Sequence, residues 1–302
     1  MDDDVQLDRA VRPVDPGEGL RHGPMQPRGR RGVNRVPVLG RGLPWHTRAV
    51  ARQATGESVL SRAVRIFEAF TPDEPVLQVS EIARRTGLHL ATASRLVAEL
   101  TSHGLLARDD DRRVRIGVRM WELALRASPT ATLRDAAMPF MEDVHAVVGH
   151  HVQLGVRDGA EVIFLERLSA PKAVINYTRV AGRLPLHASS SGLVLLAHGP
   201  ADLRERVLAG PLRAYTGNTI TTASRLRAAL ADIRKEGFAW CPGHIHEEAL
   251  GVAVPVKDAR GTVIAALSVI VPNTAESRAV TGVLMAAARG ITRSLPPSPL
   301  IQ

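Results

Sequence analysis

Forty-three residues, Ser58 to Leu100, restrict this chain more than any other stretch. They read SVLSRAVRIFEAFTPDEPVLQVSEIARRTGLHLATASRLVAEL. Val59, Leu60, Ala63, Ile66, Phe67 and Phe70 recur at helical spacing, which predicts a helix with one buried face. Thr71-Pro72-Asp73-Glu74-Pro75 breaks it. Ser80 is a good N-cap for a second helix over Glu81–Thr86, with Ile82 and Ala83 facing inward. The small Ala83 lets the next helix approach closely. Gly87 supplies the turn, where positive φ is cheap only for glycine. A third helix over Leu90–His103 buries Ala93, Leu96, Val97 and Leu100, and Gly104 stands where a C-terminal glycine belongs. This order of elements is a helix-turn-helix.

Two short alternating runs follow, Leu105–Arg108 and Val114–Ile116, around the polar tip Asp109–Arg113. Such a hairpin after the third helix is a wing. The N-terminal half of the third helix of such a unit faces the DNA major groove. Its exposed candidates are His89, Ala91, Thr92, Ser94 and Arg95. Arginine can grip a guanine edge with two hydrogen bonds, Ser or Thr can bond a base or a phosphate, and Ala can meet a thymine methyl. Arg84 and Arg85 on the second helix, and Arg112, Arg113 and Arg115 around the wing, suit phosphate contacts that position the unit. Helix pattern carries this inference more than charge, because residues 58–128 hold 11 basic and only 9 acidic side chains.

The rest of the chain sets the frame. With 302 residues there is room for two domains of ordinary size. Residues 1–54 carry PGEG, QPRGRRG and LGRGLP without apolar periodicity and are expected to form a disordered tail. The winged unit is expected over 55–117 and a linker helix over 118–130, with Met120, Trp121, Leu123, Ala124 and Leu125 as its apolar positions. Residues 131–296 alternate element types. Helices are expected over Leu133–Val148, Ser189–His198, Ala201–Leu208, Ala223–Glu236 and Ser277–Ser294. Strands are expected over Val152–Val156, Glu161–Leu168, Val174–Val180, Gly251–Lys257 and Thr262–Ile270, with hairpin turns at Asp158-Gly159 and Asp258–Gly261. Mixed order with two hairpins argues an antiparallel α+β domain over a doubly wound parallel one. No apolar run of 18 residues occurs, the start MDDDVQLDRA has no apolar signal core, and the single cysteine, Cys241, has no partner. These features point to the cytoplasm, with Cys241 a half-buried structural thiol.

These segments resemble the IclR family of transcriptional regulators across about Ser58 to Ser294. The reader helix of that family opens Gly-Leu-Pro-Lys-Ser-Thr-Val-His-Arg-Leu. Gly87, Leu88, Thr92, Arg95 and Leu96 match, whereas His89, Leu90, Ala91 and Ser94 depart. Gly182-Arg183-Leu184-Pro185-Leu186-His187-Ala188-Ser189 resembles the family's Gly-x-x-Leu-Pro-Leu-His-Ala-Ser, and the family Lys that follows this run is Leu193 here. The resemblance implies an effector pocket at the backbone of Ser190 and Ser191, where a loop entering a helix presents free N–H groups to an anion. It also places His246, Glu247 and Ser268 at that pocket; a second family serine is Ile270, and a pocket cysteine is missing between Gly243 and Val256. The expected ligand therefore has a carboxylate or similar acceptor and a sizeable hydrophobic or aromatic body. The implied architecture is α+β: an N-terminal winged helix-turn-helix plus a C-terminal GAF-like sensor domain. The implied partners are a palindromic double-stranded DNA operator, a small organic effector and further copies of the chain as a homodimer or tetramer. No membrane, catalytic residue, cofactor or metal is implied.

Other readings stay open at this level. His244-x-His246 on a strand would put both imidazoles on one face and could begin a metal site, but no third ligand is fixed by spacing. An enzyme with a winged-helix interaction module would need such a ligand, or a nucleophile with its base. A nonspecific nucleic-acid binder would use the Arg-rich tail and show no sequence preference.

Overall fold

The computed structural model describes residues 57–296 except 127, 128, 172, 175, 177, 275, 276 and 278. The tail expected over residues 1–54 lies outside the described residues. The first unit contains α1 (Val59–Glu68), β1 (Val76–Leu77), α2 (Val79–Thr86), α3 (Leu90–Ser102), β2 (Leu106–Arg108) and β3 (Val114–Ile116). Ser58 caps α1, its hydroxyl accepting the Ser61 N–H at 3.0 Å. The expected cap at Ser80 is displaced: Gln78 takes the extended cap conformation, so α2 starts at Val79 and Ser80 lies in its first turn. Gly87 ends α2 at φ 66° and its N–H reaches the Ala83 carbonyl. Ile66, Leu77, Ile82, Leu96, Val97, Leu106 and Val114 form one buried cluster. The wing has a third strand, in the order β1-β3-β2, that the sequence did not announce. Two residues are too few to show alternation.

Two helices lead onward, α4 (Val118–Leu125) and α5 (Pro129–Val148). Helix α4 ends at Leu125 with Arg126 as its C-cap, and none of its residues is buried. Beyond it lies a six-stranded sheet made of β4 (His151–Asp158), β5 (Glu161–Leu168), β6 (Arg183–Pro185), β7 (Ala239–Pro242), β8 (Ala249–Lys257) and β9 (Val263–Pro272). Its order is β6-β5-β4-β9-β8-β7, and every neighbouring pair is antiparallel. α9 (Val280–Ser294) and α5 cover one face. α6 (Ser190–Ala197), α7 (Ala201–Ala209) and α8 (Ala223–Glu236) belong to the cluster on the other. The molecule is α+β, a winged helix-turn-helix followed by a GAF-like domain.

The two faces of this sheet differ in side-chain size. Toward α5 and α9 the central strands present Val152, Leu154, Leu250, Val252, Val254, Leu267 and Val269. Alternation sends the intervening residues to the other face. There the sheet shows Gln153, Gly155, Gly251, Ala253, Ala266 and Ser268, most of them small. Small side chains let α6 lie close to the strands, and all eight residues of α6 are buried.

Two expected features change. Val174–Val180 was expected to be a strand, yet its described residues form none. Their backbone groups bond side chains instead: His151 Nε2 meets the Val174 carbonyl at 2.7 Å, Arg167 donates to the Thr178 carbonyl, and Asn176 Oδ1 accepts the Thr178 N–H at 3.0 Å. The chain then turns at Ala181, φ 60°, and β6 pairs with β5. The second change is β7, a short edge strand hidden between α8 and the turn at Gly243.

Gly117, where the wing meets α4, tests the packing of the first unit. A Cβ there would lie 2.0 Å from the Gly104 carbonyl oxygen. Neither backbone can yield cheaply, so Gly117→Ala should destabilise by about 1–3 kcal/mol or more. The expected readout is a lower urea midpoint for the winged unit; an unchanged midpoint contradicts this packing.

Candidate functional site

The groove-facing surface is built from α3 and the turn before it. His89, Ala91, Ser94 and Arg95 are exposed and Thr92 is half-buried, while Ala93, Leu96 and Val97 hold the helix from below. His89 stands at the N-cap position and makes no capping bond with its side chain. Arg95 makes no hydrogen bond or ion pair among the described residues. On α2 the two arginines separate in role. Arg84 is 73% exposed and pairs with Glu81 through Nε and Nη2, which leaves its outer edge open. Arg85 is only 20% exposed and all three of its nitrogens donate inward: to Glu81 Oε1 at 2.6 Å, the Ala69 carbonyl at 3.0 Å and Glu74 Oε2 at 2.7 Å. The expected phosphate contact at Arg85 thus gives way to an intramolecular one that ties α2 to the preceding loop. The hydrogen bonds from Arg84 and Arg85 hold the Glu81 carboxyl down at about 2. At the wing tip Arg113 bonds Asp109 and Asp111. Arg112 sits at φ 61°, a conformation an arginine adopts at some cost, and both it and Arg115 are exposed.

The second site is a cavity between α6, the sheet and the segment before β6. Strand register builds its floor. Cys241, Gly251 and Ile270 form one row across β7, β8 and β9, and Gln153, Ser268 and Ala253 form the next row across β4, β9 and β8. Gly251 makes room here: a Cβ on it would stand 2.9 Å from Ser190 Oγ and force that hydroxyl to move. The first turn of α6 forms a wall. Ser189 caps that helix by accepting the Gly192 N–H at 3.1 Å, and Ser190 and Ser191 follow with first-turn N–H groups. His187 steadies the approach to α6 through a 3.0 Å contact between Nε2 and the Arg213 carbonyl. Phe164, Leu184 and Ile270 supply the apolar walls, and Asn176, Thr178, His244 and His246 add polar ones.

The expected pocket residues are thus partly gathered. Ser190, Ser191 and His246 line the cavity. Ser268 lies directly behind, its Oγ accepting from Ser191 Oγ at 2.8 Å. Glu247 was expected beside the ligand; it is exposed and does not line the cavity. His244 and His246 lie on a turn, not a strand, because Thr216 and Thr219 hydroxyls bind the Gly243 and His244 carbonyls at 2.5 and 2.6 Å. Among the described residues no three His, Cys, Asp or Glu are grouped to hold a metal. Cys241 is buried, more deeply than expected, with burial pushing its thiol up to about 12. Gln153, Phe164, Asn176 and Thr178 had no signal in the sequence, since each reaches the cavity through strand register or an irregular crossing.

A winged DNA-reading unit joined to a domain with a partly open cavity defines a ligand-responsive, DNA-binding transcriptional regulator. Comparison with known proteins gives the family. Residues 126–295 match "Bacterial transcriptional regulator IclR C-terminal" and residues 59–110 match the "IclR helix-turn-helix domain". The chain belongs to the IclR family. It is similar to the crystal structure of an IclR homolog from Microbacterium hydrocarbonoxydans complexed with 4-hydroxybenzoate, at 46% identity and TM-score 0.77, covering 80% of this chain and 100% of that one. It is 30% identical over 213 residues to the probable transcriptional regulator SauR of Cupriavidus necator, covering 70% of this chain and 84% of the relative. It is 29% identical over 211 residues to the transcriptional regulator XynR of Escherichia coli, covering 69% and 84%.

The Glu81 clasp has a pH signature. A depressed carboxylate adds stability that is complete above its ordinary value of 4.5 and is lost as pH falls toward 2. A carbon-13 NMR titration of the Glu81 carboxyl should show a midpoint near 2. A midpoint at 4.5 would mean that Arg84 and Arg85 are not held in solution.

Proposed function

We propose that this regulator acts as a homodimer, or a pair of dimers, whose two reading heads grip a palindromic operator and whose sensor domain takes an aromatic carboxylate. The observation that carries the ligand reading is the two-sided chemistry of the cavity. The N-terminus of α6 favours an anion at the Ser190 and Ser191 N–H groups, while Phe164, Leu184 and Ile270 suit a ring. The Ser191–Ser268 bond fixes that wall. The 4-hydroxybenzoate bound by the Microbacterium relative is an acid of this kind. His246 borders the same space.

On the DNA side, Arg95 with His89, Ala91, Thr92 and Ser94 reads base edges, and Arg84, Arg112, Arg113 and Arg115 meet phosphates. Twofold symmetry of the protein demands matching symmetry in the operator. Exposed apolar side chains support the dimer: Leu60 and Val64 on α1, and Val118 and Trp121 on α4, are 73%, 45%, 72% and 64% exposed. A second copy of the chain would cover them. The working division is the tail over 1–54, the reader over 55–117, the linker over 118–130 and the sensor over 131–296.

The mechanism is linkage. A ligand that binds one arrangement of the two heads better than another shifts DNA affinity by the same coupling, and α4 is the natural lever because it joins reader to sensor. The chain acts by binding, not catalysis. No described helix is long and apolar enough to cross a membrane. Bacterial DNA lies in the cytoplasm, and that is where the regulator works.

One gel-shift experiment on DNA selected from the region around its own gene tests both ends. Arg95→Ala should weaken specific binding by about 1–3 kcal/mol. 4-Hydroxybenzoate should change wild-type affinity roughly 5- to 150-fold, the range of a 1–3 kcal/mol coupling. Ser268→Leu should lose that response and keep the DNA affinity. Unchanged footprints with Arg95→Ala, or an intact response in Ser268→Leu, would remove the corresponding residue from its role. Sedimentation tests assembly separately: Trp121→Glu should convert dimer to monomer, and a monomeric wild type would end the dimer reading.

A further inference from the structure

A separate cleft lies between α9 and the last residues of β8, and it shares no lining residue with the cavity at α6. Val254, Pro255 and Met285 give it apolar surface. Its charged lining is Lys257, Arg289 and Arg293, with no Asp or Glu. None of the three cations makes an ion pair among the described residues. The acids that flank the cleft in sequence are engaged elsewhere. Asp258 Oδ1 accepts the Arg260 and Thr262 N–H groups at 2.9 and 2.8 Å, and Glu236 Oε1 lies 4.0 Å from Lys235 Nζ.

This concentration of charge has a cost that the fold itself does not return. Met285, Arg289 and Arg293 follow one another at four-residue steps, which puts them on one side of α9. Like charges at that spacing repel. Arg293, in the last turn, gains from the helix dipole, but that benefit fades by the turn that holds Arg289. The surplus is felt nearby as well: burial first, and then Lys257 and Arg234, push the pKa of His198 down. An anion seated in the cleft would offset all three charges.

The sheet edge beside the cleft narrows the kind of anion. β7 pairs with β8 only as far as Ala253, so residues 254–257 have β9 on one side and no strand on the other among the described residues. An acidic peptide could add itself to such an edge as a strand. Here Pro255 has no N–H to offer, and the Lys257 N–H is taken by Thr292 Oγ1 at 3.3 Å. The edge is blunted against a strand, which leaves a small molecule as the occupant. We infer that this cleft binds a phosphorylated small molecule with an apolar body, at a site distinct from the effector cavity. The guanidinium forks of Arg289 and Arg293 match phosphate oxygens, and Lys257 adds a point charge. Val254, Pro255 and Met285 take the apolar part. A phosphate monoester carries close to two negative charges and meets three cations better than a single carboxylate does.

Methyl NMR on the full chain, with methionine labelled by carbon-13 at its methyl, tests the site directly. No methionine but Met285 lines this cleft or the effector cavity, and Met285→Leu identifies its signal. Phenyl phosphate should shift the Met285 methyl saturably. It should bind about 10-fold more tightly than inorganic phosphate, which has no apolar body, and than benzoate, which has one charge. Arg289→Gln and Arg293→Gln should each weaken phenyl phosphate about 10-fold, the loss of a charge-assisted hydrogen bond, while the methyl of the buried Met141 stays in place and shows the fold intact. The site is overturned by the lack of a saturable shift, by inorganic phosphate or benzoate binding as tightly as phenyl phosphate, or by unchanged affinity in both variants. A shift produced by a random-sequence DNA duplex and not by phenyl phosphate also overturns it and makes the cleft a DNA contact. None of these results bears on the cavity at α6.

Discussion

Close approach of α6 to the sheet is the constraint from which the sensor half of this molecule follows. A helix can lie near strands only where the facing side chains are small, and here they are Gly155, Gly251, Ala253, Ala266 and Ser268. The approach buries the hydroxyls of Ser191 and Ser268, which would be costly without a partner, and they answer each other at 2.8 Å. It also brings the first turn of α6 into the interior instead of leaving it in water. Anion affinity at a helix end is weak when solvent screens it and stronger in a partly buried setting. Larger residues at Gly251 or Ser268 would lift α6 and fill the space that its N-terminus faces.

The segment between β5 and β6 connects this cavity to the reader. Asn176 and Thr178 face the cavity, and Arg179 next in sequence pairs with Asp73, in the loop between α1 and β1, at 3.0 Å. Both partners are more than half exposed, and such pairs contribute about 0–1 kcal/mol. A useful allosteric coupling is about 1–3 kcal/mol. The ion pair alone is therefore too weak to carry such a coupling, which in the proposed dimer falls mainly to α4. That division makes physical sense of a helix with no buried residue of its own in a single chain.

Legibility in the sequence followed the range of each interaction. The helix-turn-helix was readable because every device in it is local: the periodic apolar face of α1, Gly87 at positive φ, and the core positions Ala93, Leu96, Val97 and Leu100 of α3. The α6 N-terminus was reached from its own run of residues through the family resemblance. The cavity floor was not readable, since Cys241, Gly251 and Ile270 meet only through a register spanning three strands. Asn176 was hidden for a different reason. Its neighbourhood has strand-like composition, but long side chains from β4 and β5 take the backbone groups that a neighbouring strand would need. Arg85 shows the same limit in the reader: sequence placed a cation on the correct helix and could not show that Glu74, Glu81 and the Ala69 carbonyl had already claimed it.

The charge state of the reader ties these halves together. Arg84, Arg85 and Arg113 are at least partly neutralised by Glu81, Glu74, Asp109 and Asp111. Arg95, Arg112 and Arg115 carry no ion pair among the described residues. Each phosphate neutralised adds about −0.9 to the salt slope of binding, so a single head with few free cations has little sequence-independent hold on DNA. In the proposed dimer, two such heads would convert the second contact into an intramolecular event, which raises occupancy steeply only when both half-sites are met at once. A reader of this kind is weak alone and strong in the right spacing. On the proposed assembly, small changes in how the sensor holds the two heads apart would have large effects on binding, which is the sensitivity that a ligand buried far from the DNA requires.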